Sequence, residues 1–141
     1  MKEFSIAYFI FITVTSMGVV QFAASRYNLE GLLIFRSLFI TRMIGLVLPI
    51  GASLWFFTSE NRNISDHLGG LSGNAVALTF FLGTTAGWLI TAIISSAVNT
   101  NTHVESSKPV LGITALQDTT YFRALYIIIR NRSKIWPRPT K

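Results

Sequence analysis

The chain has 141 residues and no cysteine. Disulfides, thiolate metal sites, iron–sulfur clusters and cysteine nucleophiles are therefore excluded. The redox compartment cannot be read from this absence, because a chain without cysteine suits any. Charge is also scarce, at 13% of residues, where a soluble domain carries about 25%. The six acids are Glu3, Glu30, Glu60, Asp66, Glu105 and Asp118, and each lies outside the long apolar runs. Proton and ion translocation use carboxylates or histidines buried within the membrane. A pump or coupled transporter working through this chain alone is thus disfavoured. Serine and threonine are plentiful, but no base accompanies them in the runs, and G-x-S-x-G, H-E-x-x-H and P-loop motifs are missing. The chain reads as non-catalytic.

What the chain has is hydrophobic length. Half of its residues are hydrophobic. Most of them fall in three runs, at 6–24, 38–57 and 75–98. Each is close to the ~20 residues that carry a helix across a bilayer core. The expected fold is all-α, an integral membrane protein with three transmembrane helices over 5–25, 37–58 and 73–98. These make one domain, 1–98, followed by a polar linker, 99–116, and a basic amphipathic tail, 117–141. Ala23-Ala24-Ser25 has the look of a signal-cleavage site. Lys2 is nearly cancelled by Glu3, however, and the run exceeds the ~7–15 residues of a signal h-region, so the first helix is expected to be retained.

Within the first run Thr13, Thr15, Ser16 and Gly18 are small or mildly polar breaks, and Gln21 is the only strongly polar side chain. Residues 26–36 form either a short connection or a half-turn in the interface. Arg42 lies near the start of the second run. A charge at the bilayer centre costs about 2.5–3.5 kcal/mol, so its long stem is expected to carry the guanidinium to the head groups. Gly45, Pro49 and Gly51 make the second helix the one expected to bend. Trp55 suits an aromatic belt. Residues 59–71 are a short polar loop, in which Asn63-Ile64-Ser65 fits a glycosylation pattern common by chance.

The third run carries small residues at every fourth position: Gly83, Gly87, Thr91 and Ser95. In lipid, helices associate by van der Waals packing, and small residues let backbones approach. Two readings follow. The face packs on the first two helices of the same chain, or it docks other integral membrane subunits or a second copy.

The net charge of +6 is unevenly placed. Arg26, Arg36 and Arg42 lie at the first connection, whereas Arg62 in the second is offset by Glu60 and Asp66. The tail holds Lys108, Arg123, Arg130, Arg132, Lys134, Arg138 and Lys141. Basic residues favour cytoplasmic loops, which predicts the N-terminus outside and the C-terminus in the cytoplasm. Tyr121, Phe122, Leu125, Ile128 and Ile129 recur at helical spacing, with the arginines mostly on the other side. Trp136-Pro137-Arg138-Pro139 ends that helix. It either lies on the membrane surface, with Arg130, Arg132 and Lys134 toward anionic lipid, or docks into a soluble partner as a helix or a strand. Arg36 and Arg42 complete the expected head-group contacts, and no nucleic-acid partner is expected.

His67 and His103 flank the third helix at opposite ends and cannot share a metal within one chain. They are weak candidates for a haem or pigment half-site completed by another subunit. No cofactor or metal is otherwise expected. The function that fits best is a small accessory, structural subunit of a larger membrane complex, with membrane lipids and other integral subunits as partners. The alternative is a self-assembling pore former. Three spans, an outside N-terminus and a basic cytoplasmic tail resemble, in layout, the phage holins. A pigment- or haem-binding subunit using His67 or His103 is the third reading.

Overall fold

The computed structural model describes residues 2–59, 72–99 and 115–130. Its elements are α1 (Lys2–Arg26), α2 (Leu38–Thr58), α3 (Gly73–Val98), α4 (Ala115–Asp118) and α5 (Tyr121–Arg130), with a 3₁₀ turn at Glu30–Leu32 between α1 and α2. The fold is all-α, and no strand occurs among the described residues. Segments 4–26, 38–58 and 73–98 are long and apolar enough to cross a membrane, which makes the chain a multi-pass membrane protein by length and composition.

Local chemistry sets the helix ends. Ser37 accepts a hydrogen bond from the Ile40 N–H at 3.4 Å, and Ser72 accepts one from the Ala75 N–H at 3.1 Å. Each supplies a partner for an amide that the first helical turn leaves open. α1 ends at Arg26, and two residues on Asn28 has a φ of 54°, the left-handed conformation that asparagine tolerates. The Leu29 N–H then reaches back to the Ala24 carbonyl at 2.9 Å, and the two side chains share one buried cluster. This is the Schellman way of closing a helix.

α1 is the centre of the layer and packs along both α2 and α3, which barely meet each other. Its contacts with α2 fall at Phe4, Tyr8, Phe11, Gly18, Phe22 and Ser25, steps of three, four or seven that keep one helical face. Phe56 stacks on Phe11 at 4.7 Å between ring centroids. A Cβ on Gly18 would stand 2.5 Å from Pro49 Cδ, and one on Gly45 would stand 2.7 Å from the Phe22 nitrogen. Partners on α2 descend from Phe56 to Arg42 as those on α1 ascend, so the two helices are antiparallel. α3 runs parallel to α1. Gly83 lies beside Ile12, and Gly87 beside Thr13 and Ser16, where a Cβ would meet the Thr13 carbonyl oxygen at 2.6 Å. An up–down–up order results, as three crossings require.

Pro49 lies inside α2, and its ring abuts Gly18. Other expectations are adjusted. The glycine face of α3 packs on α1, with Gly83, Gly87, Thr91 and Ser95 all buried, and not on α2. The tail helix begins at Ala115 and is broken between α4 and α5 at Thr119 and Thr120. Phe39, Val47, Leu54, Phe57, Leu78 and Phe81 point outward, a distribution suited to lipid and not to water.

Gly45→Leu is expected to force the α1–α2 contact apart and lower unfolding stability in mixed micelles by about 1–3 kcal/mol, as overpacking does. Gly51→Leu, at a glycine with nothing within 4 Å of its Cβ position, should leave it nearly unchanged. Equal losses for the two variants would contradict the contact.

Candidate functional site

Polar groups concentrate at one end of the layer, where α1 and α3 finish and α2 begins. The connection between α1 and α2 folds back beside α1, burying Leu29, Gly31, Leu32 and Leu33. Peptide groups withdrawn from water need partners, and two buried amide side chains provide them. Gln21, 1% exposed, donates through Nε2 to the Leu32 carbonyl at 2.9 Å. Its Oε1 accepts from the Ile34 N–H at 3.0 Å. Asn99, just past α3, donates through Nδ2 to the carbonyls of Glu30 at 3.1 Å and Leu33 at 2.7 Å. The buried Thr41 hydroxyl lies against the carbonyls of Phe35 at 3.0 Å and Ser37 at 3.1 Å, and can donate to either. Side chains from three helices thus hold one strip of backbone.

Arg42 belongs to this cluster. Its Nη2 donates to the Ser25 carbonyl at 3.3 Å. Ser25 lies in the last turn of α1, where open carbonyls and the helix dipole favour a cation. Its Nε is buried without a hydrogen-bond partner among the described residues. Where the sequence predicts a guanidinium among the head groups, one of its nitrogens turns to the end of α1.

The tail closes over the connection. A Cβ on Gly31 would collide with the carbonyl oxygen of Thr119 and would lie 3.1 Å from that of Leu116, so only glycine lets α4 sit this close. Leu116 and Tyr121 pack on the cluster of Ala24, Leu29, Leu32 and Leu33. Tyr121 also meets Trp88 edge-on, with ring centroids 5.1 Å apart.

Gly83, Gly87, Thr91 and Ser95 are together on one α3 face, covered by α1. Thr91 and Ser95 turn their hydroxyls to their own helix, onto the carbonyls of Gly87 at 2.9 Å and Ala92 at 3.2 Å. Arg36 and Arg130 are exposed. Arg132, Lys134, His67 and His103 lie outside the described residues, as does the Asn63-Ile64-Ser65 pattern. Among the described residues no group of three or more His, Cys, Asp or Glu could hold a metal ion. The arrangement is one that fixes backbone: Gln21, Thr41 and Asn99 direct their polar atoms to peptide groups.

Gln21, Thr41, Asn99 and Gly31 were not singled out as site residues from sequence. Two of them left a trace. Gln21 is the lone amide in an apolar span, and Asn99 continues the four-residue step of Gly83, Gly87, Thr91 and Ser95. Comparison of the chain with protein-family models, with curated proteins and with solved structures finds no match.

Asn99→Leu strands the carbonyls of Glu30 and Leu33. Unfolding in a titration of SDS into mixed micelles should show a loss of about 1–3 kcal/mol. A variant as stable as the native chain would show that these bonds contribute nothing.

Proposed function

We propose that the chain is a non-catalytic accessory subunit that braces the helices of a larger membrane complex. The observation that carries this reading is the use of α1. It is covered on two flanks by α2 and α3, and both glycine contacts are satisfied within the chain. What the protein offers outward is a pair of long apolar flanks on α2 and α3. Arg26 and Arg42 are the only ionisable Asp, Glu, His, Lys or Arg residues within the three spans, which gives no support to ion transfer through them. The partner surface is therefore assigned to the outer flanks, and the stripe of Gly83 and Gly87 to the subunit's own fold.

In this reading the N-terminus is outside and the C-terminus cytoplasmic. The antiparallel and parallel pairings support it, because they put Arg26, Arg36 and Arg42 at the same end of the layer as the start of the tail. Basic residues then share one compartment, as the positive-inside rule favours.

Gentle detergent extraction from the native membrane should recover the tagged chain with other integral subunits in a fixed ratio. Val47→Trp and Leu54→Trp, on the outer face of α2, should weaken that recovery while leaving the chain's own unfolding midpoint in place. Vesicles holding the purified chain alone should keep an imposed ion gradient. Recovery of the chain alone, with vesicles that leak, would replace this reading with the pore former. A visible absorption band lost in His67→Ala or His103→Ala would replace it with the pigment- or haem-binding subunit.

A further inference from the structure

α5 carries the clearest amphipathic pattern in the chain, and its point of attachment fixes its depth. α3 has 26 residues, about 39 Å of helix, against a hydrocarbon core of about 30 Å. A centred α3 therefore projects about 4–5 Å beyond the core at each end. Trp88 lies ten residues before Val98, about 15 Å from that end, and so about 10 Å below the boundary. The Tyr121 ring is 5.1 Å from the Trp88 ring, and the Phe122 ring 5.7 Å from that of Tyr121. Hence α5 starts within or against the hydrocarbon, and not in bulk water.

The rest of α5 agrees with that position. Phe122, Leu125, Tyr126 and Ile129 are exposed on one arc, and Ile128 at its edge is exposed as well. Arg123 and Arg130, seven residues apart, share a second arc about 100° round from the middle of the first. α5 holds no carboxylate. Ala124 is buried, so a further strip faces the bundle. An apolar arc flanked by a cationic one, at a helix whose first turn is seated beside a spanning helix, fits the boundary between acyl chains and anionic head groups.

We propose that α5 is an in-plane membrane helix, with Phe122, Leu125 and Ile129 among the acyl chains and Arg123 and Arg130 on anionic lipid head groups. This inference does not depend on the accessory-subunit reading, since the lipid contact forms with or without a partner subunit. A soluble partner is disfavoured as the occupant, because the first turn of α5 is seated through Tyr121 on Trp88 of a spanning helix.

The test uses the full chain, which has no native cysteine, in phosphatidylcholine vesicles with or without phosphatidylglycerol. Single cysteines at Phe122, Leu125, Ile129, Arg123 and Arg130 are spin-labelled. Labels at 122, 125 and 129 should collide mainly with oxygen, and labels at 123 and 130 mainly with an aqueous nickel chelate. Phosphatidylglycerol should raise the immersed population at position 129 by about fivefold per arginine, and Arg123→Gln with Arg130→Gln should abolish that rise. Equal nickel access at all five positions overturns the proposal. So does shielding of 122, 125 and 129 from both reagents, which would mean that protein covers the face. An immersed population indifferent to phosphatidylglycerol overturns the head-group assignment.

Discussion

A peptide group withdrawn from water needs a partner, and the connection between α1 and α2, buried at Leu29, Gly31, Leu32 and Leu33, is where this chain meets that constraint. The chain answers with side chains from neighbouring elements. Gln21 bonds the carbonyl of Leu32 and the amide of Ile34, Asn99 the carbonyls of Glu30 and Leu33, and Thr41 lies on those of Phe35 and Ser37. Other features follow from that clamp. It ties the end of α3 to the end of α1, sets where α2 begins, and presents Gly31 as the seat for Thr119. An uncompensated amide in such a place costs more than the bond that satisfies it contributes, so the clamp is held by the penalty of opening it.

The remainder of the layer needs little polar chemistry. Glycines at 18 and 45 bring α2 against α1, and those at 83 and 87 bring α3 against α1. Close backbone approach is the main attraction open to helices already surrounded by apolar solvent. At the far end an aromatic group of Phe4, Tyr8, Phe11 and Phe56 closes the α1–α2 pair. The result is one thin layer with its strongest contacts spent inside and its apolar flanks outside. That distribution underlies the proposed role as a brace.

Much of this was legible in the sequence, and the parts that were not share a cause. Span number and bounds came from apolar run length, which depends on the residues themselves. The stripe on α3 came from a four-residue period. That α1 covers Gly83 and Gly87 was not legible, because Ile12, Thr13 and Ser16 form no comparable pattern. Asn99 looked like linker because polarity alone does not say what an amide is bonded to. Its partners are backbone carbonyls, and a backbone carbonyl is the same at every residue. Gly31 is one of the residues that interrupt the apolar pattern in 26–36, and its function as a seat requires knowing that Thr119 comes to rest on it. Arg42 was placed by charge and depth, whereas the Ser25 carbonyl that receives it becomes available only because α1 ends at Arg26.

Hydrogen exchange of the Ile34 amide in lipid nanodiscs tests the clamp most directly. Its partner is a side chain thirteen residues away, so no local turn can protect it in place of Gln21. The account predicts protection comparable to amides inside α2. Exchange at the rate of an open loop would show that the connection is not held, and the arrangement built on it would fall.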